Sequence, residues 1–142
     1  MELEWRIAVV VAALVVGTVV WMAVQRGRGV LKPTAAEAGL PMAVAHLAGE
    51  RLTLVQVSSE YCTSCVRGAR IWRDAIADQP GIGFAEIDAA DHMDMVRELG
   101  ILTTPTTLVY DDGGLLRGRV AGAPTPRAAA AVLAPEQDGV LR

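Results

Sequence analysis

The pattern of hydrophobic and polar residues divides the chain into a long apolar run, a polar stretch and a series of short alternating segments. The apolar run over residues 7–24 has no charged side chain and is long enough to cross a bilayer as a helix. The stretch after it is rich in Gly, Arg, Pro and Thr, which is typical of a linker. We therefore predict an N-terminal transmembrane anchor at 1–24, a juxtamembrane linker at 25–39, a folded domain at 40–133 and a C-terminal tail at 134–142.

A cleaved signal peptide is the competing interpretation of the apolar run. The segment before it, MELEWR, carries two glutamates against one arginine, and the segment WMAVQRG at its end lacks a small-residue cleavage pattern. Trp5 and Trp21 lie near the two ends of the run, where aromatic side chains meet the membrane interface. These features favour a retained, single-pass anchor.

Within the folded domain, strand patterns and helix patterns alternate. A run of β-branched and aliphatic residues over 51–59 predicts a strand that is buried on both faces. Apolar residues at helical spacing predict an amphipathic helix over 66–79, and the segment 82–89 predicts the next strand. A helix that connects two neighbouring strands makes them parallel, so this part of the chain predicts an α/β arrangement.

The remaining segments complete the predicted domain. Residues 40–50 predict a short helix, and residues 91–100 predict another, with Asp91 as its N-cap and Gly100 as its end. The segments PTTLVY and LLRGRV flank the turn DDGG and predict an antiparallel hairpin. Pro126 fits the first position of a final alanine-rich helix. The predicted fold class is α/β, a mixed sheet flanked by helices and preceded by one transmembrane helix.

Composition and charge narrow the classes of partner. Hydrophobic residues make up 52% of the chain, and the apolar run accounts for the surplus over an ordinary soluble domain. The formal net charge is −3 and the basic residues are scattered, so we expect no nucleic acid partner. Arg26, Arg28 and Lys32 follow the apolar run, where basic side chains interact with lipid head groups. The lipid bilayer is therefore the predicted partner of this end of the chain.

Chemistry centres on the two cysteines of the chain, Cys62 and Cys65, which have two residues between them. A structural zinc site needs two further ligands, and the two histidines, His46 and His92, lie far from each other in the sequence. A purely structural disulfide across so short a loop removes little entropy from the unfolded chain. The pattern therefore favours a redox centre over a zinc site or a structural disulfide.

The position of the pair suggests how it reacts. Cys62 follows a predicted buried strand where a helix begins, so unpaired backbone N–H groups and the positive end of the helix dipole face its sulfur. Such donors stabilise a thiolate over a thiol. Cys65 lies one turn further along and is placed to attack a mixed disulfide on Cys62, which is dithiol–disulfide exchange.

Three segments together resemble one family. LTLVQVSSEYCTSC is similar to a strand that runs into an aromatic-Cys-x-x-Cys turn, ILTTPTTLVY to a cis-proline loop with its following strand, and GRVAGAP to a third loop. In this order they resemble the thioredoxin superfamily over residues 40–133. The resemblance implies a thioredoxin-like fold, a redox-active disulfide with no other cofactor, and substrates that are disulfide-containing proteins or small thiols. It also implies an electron donor or acceptor, which the sequence does not identify.

The resemblance also implies a role for individual residues. Cys62 is the nucleophile and Cys65 the resolving thiol, while Pro105 is a cis-proline that presents the Thr104 backbone to a bound peptide. The residues implied to shape the substrate groove are Tyr61, Thr63, Ser64, Thr104, Pro105 and Gly122.

The chain departs from the family behind the cysteines. The buried acid that family members carry six residues before the first cysteine is Gln56 here, and its lysine partner corresponds to Phe84. An amide and an aromatic thus replace a buried charged pair, which removes the cost of burying those charges. This replacement leaves Cys65 without an obvious internal base. Water or Glu86 is the substitute that would accept its proton.

Two further departures lie elsewhere in the chain. Thr63 and Ser64 replace the Gly-Pro between the cysteines of thioredoxin, so the reduction potential does not follow from the resemblance. The first strand of the family has no clear counterpart unless Val30 and Leu31 contribute to it.

Three functions are compatible with these features. The leading hypothesis is a membrane-tethered thiol–disulfide oxidoreductase. The second is a Cu(I) carrier, because His92, Met93 and Met95 lie close together and soft ligands suit Cu(I), although at least one methionine is expected to pack in the core. The third is a non-catalytic interaction module on the same fold.

The charges that flank the apolar run predict which side of the membrane carries the domain. Arg26, Arg28 and Lys32 follow the run, whereas Arg6 alone precedes it. Because lysine and arginine mark the cytoplasmic side, this asymmetry places the domain in the cytoplasm. The resemblance favours the opposite side, since anchored thioredoxin-like proteins often face the oxidising exterior. We expect the cytoplasmic face, with the exterior as the alternative.

Overall fold

The computed structural model describes residues 2–26, 31–33 and 39–134. A short 3₁₀ helix at Met42–Leu47 precedes the second strand. The helices are α1 (Glu2–Arg26), α2 (Thr63–Ile76), α3 (Met93–Glu98) and α4 (Pro126–Leu133), and the strands are β1 (Leu31–Pro33), β2 (Leu52–Ser58), β3 (Ile82–Asp88), β4 (Thr106–Asp111) and β5 (Leu116–Ala121).

The five strands form one mixed sheet in the order β1-β5-β4-β2-β3. Strands β2 and β3 are parallel and are connected through α2, whereas β4 pairs antiparallel with both β2 and β5. The predicted parallel pair and the predicted hairpin are therefore confirmed, and so is the predicted mixed sheet flanked by helices. Strand β2 lies inside the sheet, which explains its continuous apolar run.

Helices cover both faces of the sheet. On one face, which we call the α2/α4 face, Trp72 of α2 and Leu133 of α4 pack against Leu54 of β2. On the other face, which we call the α3 face, Leu99 at the end of α3 and Val44 of the 3₁₀ helix pack against Val55 of β2. Successive side chains of a strand point to opposite faces, so β2 contributes to both clusters.

Helix α2 begins three residues before the helical pattern of the sequence indicates. Thr63 and Ser64 form its first turn, and their polar side chains hide that turn from the apolar periodicity. Cys65, Gly68 and Trp72 lie on the buried side of the helix. A Cβ at Gly68 would lie 2.9 Å from the side-chain oxygen of Gln56, so the helix approaches β2 closely at this point.

Strand β1 lies inside the segment that its composition predicts as a linker. Leu31 pairs with Val120 of β5, and the strand is antiparallel to β5 at one edge of the sheet. Val30, the other residue considered for a first strand, lies outside the described residues. Three residues with one apolar side chain are too short to produce a strand pattern, so only the pairing with β5 reveals β1.

Helix α3 differs slightly from its predicted start. Its N-cap is His92 rather than Asp91, and within the described part of the chain no side chain caps its first turn. The carboxylate of Asp88 instead accepts a hydrogen bond from Ala90 N at 2.8 Å, within the turn that precedes the helix. Gly100 follows the helix with φ 58°, a backbone conformation that favours glycine, as predicted for its end.

Helix α1 contains the one segment of the described residues that is long and apolar enough to cross a membrane. This segment, Glu4–Val24, has a mean hydropathy of 2.7, and none of it is buried against the rest of the protein. A helix that is apolar on all sides matches a hydrocarbon environment. This finding rests on the length and composition of the helix alone, and a signal sequence near the N-terminus meets the same two criteria.

Candidate active site at the start of α2

Cys62 and Cys65 form a disulfide at the N-terminus of α2. Cys62 is the N-cap residue, and its sulfur accepts a hydrogen bond from Cys65 N at 3.1 Å. The hydroxyl of Ser64 lies 3.3 Å from the same sulfur. Both groups are positioned to support negative charge on Cys62 when the disulfide is reduced, because donors at a helix N-terminus favour a thiolate.

The two sulfur-bearing residues differ in exposure. Cys62 is half-buried, whereas Cys65 is only 2% exposed and faces the sheet. Cys62 is therefore the more accessible of the two residues in this conformation. Cys62 also lies between the end of β2 and the start of α2, as predicted.

The proline loop meets the cysteine loop directly. Ser59 Oγ and Thr104 Oγ1 lie 3.1 Å apart and share a hydrogen bond. The Thr104–Pro105 peptide bond is cis, the isomer that the resemblance implies. Thus the segment before α2 and the segment before β4, which are distant in the sequence, are joined beside Cys62.

The third predicted loop joins the second through its backbone. Gly122 N donates to the carbonyl oxygen of Pro105 at 2.7 Å, and Gly122 has φ 83°, which favours glycine. The structure therefore connects the loop of Gly122 to the proline loop, and the proline loop to the cysteine loop.

Large apolar side chains are exposed around these loops. Tyr61, next to Cys62, is 90% exposed, and Leu102, three residues before Pro105, is 92% exposed. Val66, on the first turn of α2, is also exposed. The sequence pattern indicated Tyr61 but neither Leu102 nor Val66, because only the fold shows which apolar residues remain outside the core.

A buried amide lies behind the disulfide. Gln56 is fully buried, and its side-chain nitrogen donates to the carbonyl oxygen of Cys65 at 3.0 Å and to Ser58 Oγ at 2.9 Å. The Ser58 hydroxyl in turn donates to Glu86 Oε1 at 2.6 Å. Among the described residues, the side-chain oxygen of Gln56 has no hydrogen-bond partner. Position 56 is therefore linked to the backbone of the second cysteine, and Ser58 is a further member that the sequence analysis missed.

Glu86 lies at the outer end of this network. Its Oε1 also lies 3.2 Å from the Gln56 side-chain nitrogen, and its Oε2 accepts from Arg73 of α2 at 3.3 Å. The Arg73 guanidinium carbon lies 5.0 Å from the centre of the Phe84 ring. Phe84 stands opposite Leu54 in the parallel register, whereas Glu86 stands opposite Gln56. The residue that contacts Gln56 is therefore Glu86.

The residues considered for Cu(I) are arranged differently. Met95 packs against the core cluster of the α3 face, as expected for at least one of the two methionines. Met93 is exposed and His92 is half-buried. Within the described ranges, no group of three histidine, cysteine or acidic side chains is arranged to hold a metal ion.

A separate cleft lies at the other end of the sheet. It has a volume of about 420 Å³ and lies between Leu52, at the start of β2, and Asp111, at the end of β4. The cysteine loop follows the opposite end of β2, so none of the predicted site residues lines this cleft.

Comparison with known proteins agrees with this geometry. The family model described as Thioredoxin matches residues 41–134, which is more than half of the chain. The chain therefore belongs to the thioredoxin family. Members of this family work without a cofactor, through their redox-active disulfide, and the fold with its Cys-x-x-Cys pair supports thiol–disulfide oxidoreductase chemistry in general.

Several solved structures share the fold. Trxlp from Edwardsiella tarda is 20% identical with a TM-score of 0.55, and the match covers 68% of this chain and 97% of that one. Mitochondrial thioredoxin 3 from Saccharomyces cerevisiae, in its oxidised form, is 20% identical with a TM-score of 0.53, covering 62% and 81%. Oxidised thioredoxin from Plasmodium falciparum is 20% identical with a TM-score of 0.50, covering 62% and 83%. No curated protein sequence matches the chain significantly.

Proposed function

We propose that this chain is a membrane-anchored thiol–disulfide oxidoreductase. In this proposal residues 1–24 form the anchor, 25–39 the linker, 40–133 the redox domain and 134–142 the tail, of which 135–142 lie outside the described residues. The observation that carries the proposal is the disulfide at the N-terminus of α2, with Cys62 half-buried and Cys65 buried behind it.

The exchange proceeds through a mixed disulfide. In the reducing direction, the Cys62 thiolate attacks one sulfur of a client disulfide, and the other client sulfur leaves as a thiolate that takes up a proton. Cys65 then loses its proton and attacks the Cys62 sulfur. The second client sulfur leaves and is protonated, so two electrons pass to the client and the Cys62–Cys65 disulfide forms. The oxidising direction is the reverse, and a separate donor or acceptor of electrons restores the pair.

The loops around Cys62 form the client-binding groove in this proposal. Thr104 presents its backbone to an extended peptide, and its side chain is held by Ser59. Proteins with the thioredoxin fold act on disulfide-containing protein substrates, which supports a peptide as the client. The remaining residues assigned to the groove are Tyr61, Thr63, Ser64, Pro105 and Gly122.

Reduction of insulin by dithiothreitol tests the activity. The full chain in detergent micelles is expected to accelerate the reaction, and the Cys62→Ser variant is expected to leave it at the rate of dithiothreitol alone. His46→Ala, a substitution outside the proposed groove, serves as the matched control. A wild-type chain that gives no acceleration, although it is folded and its cysteines can be reduced, would favour the interaction module.

The proposed anchor needs a test of its own. We propose that the domain lies on the cytoplasmic side, because Arg26, Arg28 and Lys32 follow the span. A single cysteine placed at Gly139 in the Cys62→Ser/Cys65→Ser background is expected to resist a membrane-impermeant maleimide on intact cells and to react after permeabilisation. Strong labelling on intact cells would instead place the domain outside, whereas recovery in the soluble fraction would contradict an anchor.

A further inference from the structure

The two cysteines lie in opposite electrostatic surroundings. Cys62 faces hydrogen-bond donors, namely Cys65 N and the nearby Ser64 hydroxyl. Cys65 is connected through its own carbonyl oxygen to Gln56, and through Gln56 to the carboxylate of Glu86. Hydrogen-bond donors favour a thiolate and the negative charge of a carboxylate disfavours one. We therefore expect Cys62 to be the stronger acid of the two thiols in the reduced pair.

The direction of the hydrogen bonds supports this connection. The Gln56 amide nitrogen has two hydrogens, and the Cys65 carbonyl and the Ser58 oxygen are its two shortest acceptors. The Ser58 hydroxyl uses its single hydrogen on Glu86. If the amide were flipped, its oxygen would face the Cys65 carbonyl and the Glu86 carboxylate, which both only accept hydrogen bonds. The Cys65 carbonyl and the Glu86 carboxylate therefore both favour the orientation in which the amide nitrogen faces Cys65.

The surroundings of the network preserve the effect of the charge. Gln56 is fully buried and Cys65 is 2% exposed, so little water lies between them to screen the carboxylate. The Arg73 guanidinium lies on the outer side of Glu86, where its side chain is 58% exposed. The Glu86 side chain is itself 34% exposed, so water and Arg73 each offset part of the negative charge felt at Cys65.

We propose that Glu86 is a positioning residue that keeps the Cys65 thiol protonated until it attacks, and so separates the roles of the two cysteines. Glu86 acts through Ser58 and Gln56 and does not itself touch the reacting sulfurs. In the resolving step the Cys65 proton goes to solvent, the thiolate attacks the Cys62 sulfur, and the leaving thiolate is reprotonated. The inference rests on the proposed function only in naming Cys65 as the resolving thiol.

Titration of Cys65 alone tests the electrostatic part. In the full chain carrying Cys62→Ser, thiolate absorbance is followed against pH with and without Glu86→Gln, a change that keeps a hydrogen-bond acceptor and removes the charge. We expect the half-ionisation pH of Cys65 to fall by about one unit. Glu50→Gln, at the far end of the sheet, is the matched control and is expected to leave it unchanged. An unchanged or higher half-ionisation pH in Glu86→Gln would overturn the proposal.

A second variant separates charge from hydrogen bonding. Ser58→Ala cuts the shortest link of the network but leaves the Glu86 carboxylate 3.2 Å from the amide nitrogen, so we expect a smaller shift than with Glu86→Gln. A larger shift would mean that the orientation of the amide, and not the charge, controls Cys65. Near-ultraviolet circular dichroism establishes that each variant is folded, and Glu86→Asp is expected to restore most of the wild-type titration.

A reporter disulfide tests the consequence for the resolving step. With thionitrobenzoate attached to Cys62 of the otherwise wild-type chain, release of the coloured thiol measures the attack by Cys65. We expect Glu86→Gln to release it about threefold faster at pH values below the midpoint, because a fall of one unit raises the thiolate fraction about tenfold while the nucleophilicity of the thiolate falls by about a factor of three. Equal rates would overturn the proposal. The reporter is not a client, so this result stands even if the wild-type chain fails to reduce insulin.

Discussion

The two faces of the sheet are built from the same strands but differ in polarity. On the α3 face, Val57 and Ile87 continue the apolar cluster to the end of the sheet that carries the cysteine loop. On the α2/α4 face, the cluster around Leu54 and Trp72 gives way at that end to Gln56 and its hydrogen-bond partners. One face thus stabilises the domain along its whole length, while the other combines a core with the support of the redox pair.

The boundary between the two parts of the α2/α4 face is itself polar. Trp72 Nε1 donates to Thr107 Oγ1 at 2.9 Å, and Thr107 pairs with Gln56 across the sheet. Trp72 thus has an apolar ring in the core and an N–H group directed towards the polar end. Buried polar groups are tolerated when they are paired, which allows this face to change character over two residues of β2.

Removal of a cysteine at the polar end is expected to have the largest effect. In Cys65→Ser, clients that react with Cys62 stay attached, because the resolving attack is lost, and turnover falls by on the order of a hundredfold or more. Trapped adducts are measured by non-reducing electrophoresis and mass spectrometry. The reciprocal Cys62→Ser variant is the control, and adducts that formed on Cys65 there would reverse the assigned roles.

Truncation of Trp72 is expected to have the next largest effect and to act on stability. Trp72→Ala leaves a cavity in the core of the α2/α4 face and an unpaired Thr107 hydroxyl, so the free energy of unfolding should fall by about 3–5 kcal/mol. Denaturant unfolding of the full chain in detergent measures the change. Val66→Ala on the exposed side of the same helix is the matched control, and an equal loss in both variants would contradict a core role for Trp72.

Gln56→Asp tests whether the polar end depends on an amide. The shorter acidic side chain cannot donate to the Cys65 carbonyl and lies beside Glu86, so we expect a loss of about 1–3 kcal/mol of stability. We also expect a changed pH profile for resolution of a preformed mixed disulfide, since a second carboxylate stands behind Cys65. Wild-type stability together with an unchanged profile would place position 56 outside the proton chemistry.

The smallest change is expected on the α3 face, at Tyr110. Burial raises its pKa from 10.0 to about 12, and its hydroxyl has no partner among the described residues. Because the folded state holds this proton more tightly than the unfolded state, its stabilising contribution is complete below pH 10 and is lost as the pH rises towards 12.

The Tyr110→Phe variant separates these effects. Near neutral pH its stability should stay within about 1 kcal/mol of wild type, because the hydroxyl makes no hydrogen bond to any residue that the structure describes. Between pH 10 and 12 the variant should lose less stability than wild type does. Equal losses in the two proteins across this range would show that folding does not raise the pKa of Tyr110.

Local features of the sequence determined the order of the elements from residue 40 onward and the centre of the site. Two cysteines with two residues between them after a buried strand located Cys62 at a helix N-terminus, and the resemblance in ILTTPTTLVY located Pro105. The run of β-branched and aliphatic residues over β2 also indicated a buried strand. These features depend on residues that are close in the chain, where spacing and propensity act directly.

Only the tertiary structure decided which distant residues meet. Alternation assigns Glu86 to one face of β3, but the parallel register with β2 decides that it stands opposite Gln56. In the same way, the contact of Ser59 with Thr104 and the pairing of β1 with β5 depend on how the whole sheet packs. Register and edge pairing are set by the packing of both sheet faces at once, and a period of two in a single strand does not contain that information.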